Sequence, residues 1–302
     1  MELKQIGPKT FCIENDTNIG IHFTDDGRMY LIDTGSKGDG EKIDEILSRE
    51  GWVPSCIINT HTHIDHIGGN EFLMRKYGIP AYCTDYDMAF AHYSELEAAY
   101  MNGGYPAEKL RTIFAHPGMI GFRSIEKETP DGIDWTYEKE TPDGIDWTYL
   151  PGHSFGMIGI RTSDDIWFLG DSYLSRNFLK QYTFGFIYNV EAYIDTLKKL
   201  KEFKGALFVP SHGILETDIV PSLEQNLRSV AEMCSMICET CREYRGQDEI
   251  LQQMYERLRM HARPAQHALL SSTVKSYLTY LQDRNKLECR FVDNIMKWRT
   301  QE

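Results

Sequence analysis

Three histidines and one aspartate lie within six positions of one another, in the segment Thr60-His61-Thr62-His63-Ile64-Asp65-His66. An apolar run at residues 56–58 precedes this segment and a pair of glycines follows it. In extended backbone, residues two apart project to the same side, so His61 and His63 can hold one cation. After the chain turns, Asp65 and His66 can address a second cation. Desolvating such a cluster is unfavourable without a cation, so the segment predicts a metal site at the end of a strand.

Two cations need more ligands than this segment supplies, and three later segments offer them. His153 lies in Leu-Pro-Gly-His-Ser, Asp171 in Phe-Leu-Gly-Asp-Ser and His212 in Val-Pro-Ser-His-Gly. Each of the three follows an apolar run and stands beside a glycine that permits a tight turn. Because functional residues often sit in loops that a rigid scaffold positions, the four segments predict a single site built from several strand ends.

The order of these four segments resembles that of the metallo-β-lactamase superfamily, over about residues 1–215. The resemblance implies an α+β fold of the αββα sandwich type, with the metals at one end of two packed sheets. It implies seven ligands, with Asp171 bridging the two metals: His61, His63 and His153 for the first, and Asp65, His66 and His212 for the second. Asp33, in Leu-Ile-Asp-Thr-Gly, matches a family position that supports the histidine segment from behind.

The chemistry that such a centre implies is hydrolysis. Two cations about 3.5–4 Å apart that share an oxygen can activate water, and zinc lowers the pKa of bound water to about 7. The resulting hydroxide would attack a carbonyl carbon or a phosphorus, and Asp65 would act catalytically by helping to handle the proton. The nitrogen-rich ligand set favours zinc, although iron or manganese also suits a mixed imidazole and carboxylate site. We therefore predict a dinuclear metal-dependent hydrolase.

The segments between the motifs should form the lid and the substrate pocket. They carry aromatic side chains before and after the bridging aspartate: Tyr86, Phe90, Tyr93, Tyr100, Phe184, Phe186 and Tyr188. Aromatic side chains with polar tips suit an amphiphilic small acyl substrate, which we expect to be an ester, a thioester or a lactone.

Charge and composition restrict which binding partners and which cellular compartment we predict. The chain has 45 acidic and 32 basic residues, a net charge of −13, which argues against a dedicated nucleic-acid binder. It contains no long apolar run that could span a membrane, and no export signal opens it. Its seven cysteines are an odd number in such a chain, which favours reduced thiols. These features predict a cytoplasmic protein that acts on a small molecule and has no membrane partner. They do not indicate an oligomeric state.

The pattern becomes mostly helical from about residue 218. Residues 270–287 predict an amphipathic helix, which can form a helix-turn-helix unit with residues 250–258, and residues 290–295 predict a short strand or wing. We therefore predict a catalytic domain at residues 1–217 and a helical C-terminal region at residues 218–302, winged-helix-like from about residue 247.

This C-terminal region resembles the appendage of a β-lactamase-like subgroup that includes a single-strand endoribonuclease. Residues 251–302 hold nine basic and five acidic side chains, and the resulting +4 would fit phosphate contacts. Cleavage of single-stranded RNA or of another phosphodiester is therefore an alternative to acyl hydrolysis. A non-catalytic metal-binding regulator is a third alternative, although no ligand is missing.

A twelve-residue sequence, EKETPDGIDWTY, occurs at residues 126–137 and again without change at residues 138–149. A repeat this short and present only twice is not a solenoid. Only the second copy connects directly to the segment that contains His153. We therefore predict that the second copy supplies a strand of the fold and that the first is a surplus surface arm.

Overall fold

The first sheet comes from the first half of the chain. A computed structural model describes residues 1–93, 95–114, 121–126, 142–181 and 185–301. The sheet has seven strands in chain order: β1 (Glu2–Gln5), β2 (Thr10–Glu14), β3 (Ile19–Phe23), β4 (Met29–Ile32), β5 (Cys56–Ile58), β6 (Ala81–Cys83) and β7 (Phe122–Ser124). Strands β1 to β4 pair antiparallel, and β4 to β7 pair parallel.

Helices connect the parallel strands of this sheet, because a parallel pair needs a crossover connection. They are α1 (Asp39–Glu50), α2 (Ile64–Ile67), α3 (Asn70–Tyr77), α4 (Asp85–His92), α5 (Glu95–Asn102) and α6 (Glu108–Phe114). The last three lie between β6 and β7 and form a helical insertion.

The second sheet has four strands in the order β11-β10-β9-β8. Their bounds are β8 (Ile145–Tyr149), β9 (Ile158–Thr162), β10 (Ile166–Phe168) and β11 (Leu207–Val209), and helices α7 (Arg176–Gln181) and α8 (Val190–Leu200) lie between β10 and β11. Strands β8 to β10 pair antiparallel and β10 pairs parallel with β11. Strand β8 belongs to the second copy of the repeat, whereas residues 127–141 lie outside the described residues.

The C-terminal part contains three helices and a small sheet. The helices are α9 (Val220–Thr240), α10 (Gln247–Arg257) and α11 (Pro264–Asp283), and the strands are β12 (Arg245–Gly246), β13 (Leu287–Val292) and β14 (Ile295–Thr300). The sheet order is β12-β14-β13, and the hairpin β13–β14 follows the helix pair as a wing. The predicted helical, winged-helix-like region is therefore confirmed, whereas the domain boundary at residue 217 stays a prediction.

Buried side chains hold the layers together. Ile58 of the first sheet and Ile160 and Phe168 of the second belong to one buried cluster between the sheets. A Cβ on Gly20 of β3 would lie 2.6 Å from the Phe168 ring, so the close approach of the sheets requires glycine there. Helices α1 and α3 cover the outer face of the first sheet, and α8 and α9 cover the second. This arrangement confirms the predicted αββα sandwich.

The site lies where several strands end. Asp33 follows β4, the histidine segment follows β5, Asp171 follows β10 and His212 follows β11. Because the carboxyl ends of neighbouring parallel strands share one edge of a sheet, the fold brings these loops together. In the part of the chain that the structure describes, no helix is both long and apolar enough to cross a membrane.

Candidate metal centre

The histidine segment turns sharply from strand to helix. It leaves β5 in extended backbone, and His63 stands just before the short helix α2. Gly68, after α2, packs against the loop that follows β4, and a Cβ there would lie 2.2 Å from the Ser36 carbonyl carbon. Only glycine permits this approach, which holds the histidine segment against the Asp33 loop. His61 and His66 are fully buried as a result.

The first group of converging side chains consists of three imidazoles. Nδ1 of His63 lies 3.1 Å from Nε2 of His61 and 2.9 Å from Nε2 of His153. The three nitrogens thus face one point, and all lie within 4.8 Å of one another. Such convergence of buried nitrogens is the arrangement expected of ligands to a single cation.

The second group joins Asp65, His66 and His212. Oδ2 of Asp65 lies 3.4 Å from Nε2 of His212 and 4.0 Å from Nε2 of His66. These three ligand atoms also lie within 4.8 Å of one another. The second group lies beside the first, and the pair can hold two cations.

Asp171 lies between the two groups. One carboxylate oxygen, Oδ2, is 3.4 Å from Nε2 of His153 and 3.5 Å from Nε2 of His212. The other, Oδ1, is 3.6 Å from Nε2 of His66. The structure therefore brings all seven predicted ligands together, with Asp171 in contact with both groups.

Two orphaned polar atoms test whether this donor set fits cations. Nε2 of His66 and Oδ1 of Asp171 are buried, and neither has a hydrogen-bond partner in the described part of the chain. Leaving a buried polar atom unpaired costs about 1–3 kcal/mol. Cations between the two groups would satisfy both atoms, so the residues present fit a pair of divalent metal ions.

Each histidine of the two groups is also held through its other ring nitrogen. Five partners serve in this way: Thr60 Oγ1 for His61 (3.2 Å), Tyr100 Oη for His63 (2.9 Å), Asp33 Oδ2 for His66 (2.9 Å), the Phe186 carbonyl for His153 (2.9 Å) and the Asp16 carbonyl for His212 (2.7 Å). Asp33 also accepts hydrogen bonds from the Thr60 backbone N–H and hydroxyl. The structure thus places Asp33 in contact with the histidine segment, at the position that the family resemblance implies.

Tyr100 and the two backbone carbonyls escaped sequence reasoning as partners of the histidines. A backbone carbonyl carries no residue signature, so no sequence signal could identify Phe186 or Asp16. Tyr100 stands on α5, far from any motif, and only the packing of the insertion against the sheet brings it to His63.

The histidines of the centre differ in the direction in which their surroundings shift their pKa. Burial, reinforced by neighbouring imidazoles, lowers the pKa of His63 to about 3 and holds that of His61 well below its usual value. Burial also opposes protonation of His66, but Asp65, Asp33 and Asp171 outweigh it and raise its pKa to about 9. The pKa of His212 is likewise raised against burial, by Asp171 and Asp65. A cation that binds the second group must therefore displace protons from two imidazoles.

A cavity of about 380 Å³ opens onto both groups. Apolar side chains from the insertion, from α7 and the loops beside it, and from α11 form most of its wall: Met101, Ile113, Phe114, Leu174, Phe178, Phe186, Ala265 and Leu269. Glu97 also lines it, and no Lys or Arg does so among the described residues. The volume and the apolar wall are typical of a small-molecule site.

Most of the aromatic residues predicted to form the substrate pocket do not line this cavity. Phe186 lines the cavity, but Tyr86 and Tyr93 are 54% and 63% exposed and do not, because α4 turns Met88 and Ala91 inward instead. Phe90 packs against Tyr100 behind the cavity wall. Tyr188 lines a separate cleft with Tyr100 and Phe155. Phe184 lies outside the described residues.

The sandwich carries a cleft in which histidines and aspartates converge in groups that could hold metal ions. The profile of the metallo-beta-lactamase superfamily matches residues 16–212, more than half of the chain, and the chain belongs to that superfamily. The hydroxyacylglutathione hydrolase of Brucella anthropi is 46% identical over 68 residues, which are 22% of this chain and 25% of that protein. The match thus spans about a quarter of the length of this curated relative.

Solved structures share the fold over nearly the whole chain. A beta-lactamase domain protein from Burkholderia ambifaria has a TM-score of 0.71 at 14% identity and covers 99% of this chain and 95% of its own. A metallo-beta-lactamase family protein from Thermus thermophilus has a TM-score of 0.70 at 16% identity and covers 98% of this chain and 100% of its own. These structures show that the fold extends through the C-terminal region.

Proposed function

We propose that the protein is a dinuclear hydrolase that cleaves a small acyl substrate, an ester, a thioester or a lactone. The observation that carries this proposal is the position of Asp171, within 3.6 Å of histidines from both groups, at the floor of an apolar cavity. A carboxylate so placed can bind two cations at once. The cavity above it can hold an uncharged acyl group.

The proposed ligands divide as the two groups do, with Asp171 in both. His61, His63 and His153 would hold the first cation, and Asp65, His66 and His212 the second. Five imidazole nitrogens among the donors make zinc our first choice, with iron or manganese as alternatives. The outer contacts of the histidines fix which ring nitrogen faces the cations, as such contacts do in known metal sites.

When bound, the two cations would acidify a water molecule and polarise the carbonyl group of the substrate. The protein's part is to orient the substrate and to move a proton. Asp65 suits the proton transfer because its side chain is 40% exposed and lines the cavity, next to Nε2 of His212. One carboxylate oxygen of Asp65 can accept a proton from water and return it to the leaving oxygen or sulfur.

The cavity wall supports acyl hydrolysis over cleavage of RNA. A phosphodiester chain would find no Lys or Arg among the described residues that line the cavity, and cationic side chains normally contact phosphates. Arg257 of the C-terminal region lies 2.8 Å from Glu239, with which it forms an ion pair, and Lys275 lines a separate cleft. The modest positive charge of this region is thus not collected at the metal cavity.

A parallel substrate panel tests the proposal. Zinc-loaded and manganese-loaded protein should hydrolyse members of an ester, thioester and lactone series, and should leave a fluorescent single-stranded RNA and a simple phosphodiester intact. Replacement of Arg257, Arg259 and Lys275 by Ala should not change acyl turnover. Cleavage of RNA alone, weakened by this triple replacement and by salt, would establish the nuclease alternative instead.

A further inference from the structure

One acidic side chain in the metal cavity takes no part in either ligand group. Glu97, on α5, is 3% exposed and lines the cavity four residues before Met101, one helical turn away. Its carboxyl group lies beside the Ile64 backbone N–H and interacts with the charge of Asp65. Glu97 is thus a buried acid at the wall of the cavity, close to the second ligand group.

One oxygen of this carboxyl group is left over. Oε2 of Glu97 is buried and has no hydrogen-bond partner within the described part of the chain. Holding the Ile64 N–H requires only one acceptor oxygen, so a purely structural clamp does not explain the second. An unpaired buried acceptor is unfavourable, and a hydrogen-bond donor on a bound molecule would recover that cost.

The surroundings restrict what the donor can be. Besides the ligand groups, the cavity wall is mostly apolar and includes Phe114, Leu174 and Leu269. They suit a hydrocarbon chain rather than a polar headgroup. A cationic ammonium would be repelled by the two divalent cations that we propose in the same cavity. A neutral donor, a hydroxyl or an amide N–H, satisfies Oε2 without that repulsion.

We infer that Glu97 recognises a neutral hydrogen-bond donor on the substrate, so that the cavity selects an acyl chain carrying a hydroxyl or amide N–H over the plain chain of equal length. This inference rests on the proposed acyl hydrolysis. Specificity of this kind can be strong, because a site built to hydrogen-bond a group rejects the analogue that lacks it.

The test uses thioesters of one leaving group and one chain length, with a plain, a hydroxylated and an acylamino chain. We expect zinc-loaded wild-type protein to prefer at least one donor-bearing chain about tenfold or more in kcat/KM. Glu97→Leu should bring this ratio close to one. Glu97→Gln, whose amide oxygen can still accept a hydrogen bond, should keep part of it. Glu95→Gln on the same helix is the matched control, because Glu95 is exposed, and its ratio should equal that of wild type.

Two results would overturn the inference. One is a wild-type ratio near one for both donor-bearing chains. The other is an equal loss on all three chains in Glu97→Leu at unchanged metal content, which would reduce Glu97 to a clamp on Ile64.

Binding of non-hydrolysable thioether analogues, measured by calorimetry, separates this inference from the proposed function. If no thioester is cleaved, the proposed function fails. The role of Glu97 is still supported if wild-type protein binds the donor-bearing thioether about tenfold more tightly than the plain one and Glu97→Leu abolishes this preference. Equal binding of plain and donor-bearing thioethers contradicts that role.

Discussion

Each histidine of the two ligand groups is fixed at two points. One ring nitrogen faces the cleft and the other meets a hydroxyl, a carbonyl or a carboxylate. Because the outer partner determines which nitrogen carries the proton, the inner nitrogen is held ready to bind a metal ion. Among these outer contacts, the hydrogen bond between Tyr100 and His63 is suited to a test by substitution. Replacing Tyr100 by Phe removes the hydroxyl and keeps the aromatic ring.

Tyr100→Phe should weaken metal binding without unfolding the protein. The ring would still pack against Phe155 and Phe186, but Nε2 of His63 would lose its 2.9 Å partner. We expect the affinity for the more weakly held metal ion to fall about tenfold to a hundredfold, measured by competition with a chromophoric chelator. Tyr105→Phe, at a side chain that is 76% exposed, is the control. Equal affinities in Tyr100→Phe and wild type would show that the contact has no such role.

A buried aspartate behind the histidine segment makes stability depend on pH. Asp87 accepts hydrogen bonds from the Thr62 backbone N–H and hydroxyl and from Thr84. Burial outweighs these bonds and raises the pKa of Asp87 to about 6, above the value of about 3.9 in an unfolded chain. Between these values the folded state binds the proton more tightly, so the contribution of Asp87 to stability falls as pH rises.

Asp87→Asn isolates this contribution, because the amide resembles the protonated acid. Relative to Asp87→Asn, metal-free wild-type protein should lose about 2 kcal/mol of unfolding free energy between pH 4 and pH 7. Urea titrations at several pH values measure the difference. A difference that stays constant over this range would mean that Asp87 ionises normally.

At the scale of elements, a strong alternation of apolar and other residues lets the sequence predict some of the strands. In the runs Ile19–Phe23 and Ile158–Thr162, isoleucines alternate with Gly, His or Arg, a pattern that predicts a strand, and each run is a strand in the structure. Strands Ala81–Cys83 and Phe122–Ser124 are not predictable in this way, because three residues are too few to show a period of two. The order and type of the larger elements therefore follow from the sequence, and these two short strands do not.

The parts of the site also differ in how well the sequence predicts them. The ligand motifs are local in sequence, so the family resemblance identifies them from the order of residues alone. The cavity wall depends on which face of each insertion helix turns inward, and the weak periodicity of α4 and α5 does not indicate it. The sequence consequently places the exposed Tyr86 and Tyr93 in the pocket and misses Glu97 and Met101.

Removing the first repeat copy, residues 126–137, tests the predicted surplus arm. Glu126 accepts hydrogen bonds from the Asp85 backbone N–H and the Tyr149 hydroxyl, and the deletion would place the identical Glu138 after Ile125 in its stead. We expect a folded protein that binds metal and melts within a few degrees of wild type. Deleting both copies, which also removes β8, should prevent folding. An insoluble or metal-free single deletion would refute the prediction.

At the scale of the whole molecule, one buried cluster runs across the predicted domain boundary. It joins Leu150 and Phe208 of the catalytic part to Ile237, Ile250 and Leu278 of the C-terminal helices. Helix α11 also supplies Ala265 and Leu269 to the metal cavity. The C-terminal region is thus part of both the core and the site.

This shared core predicts a single cooperative unfolding transition. Differential scanning calorimetry of wild-type protein should show one peak. Leu278→Ala, which removes a side chain that is 1% exposed, should shift that peak as a whole to lower temperature, with a loss of about 2–5 kcal/mol. Two resolved peaks, of which only one moves, would mean that the regions unfold separately.

The position of Asp171 between the two ligand groups makes it the substitution that should affect both groups at once. Asp171→Ala should lower the metal content and abolish hydrolysis, because both ligand groups lose a shared carboxylate. Asp195→Ala, at a side chain that is 65% exposed on α8, should change neither. Full turnover by Asp171→Ala would place the chemistry elsewhere.

The central claim is that seven side chains hold a pair of metal ions, and the ratio of metal to protein tests it most directly. Elemental analysis of wild-type protein, reconstituted with zinc and freed of excess ions, should find about two ions per chain. A protein that retains no metal after reconstitution would contradict the account.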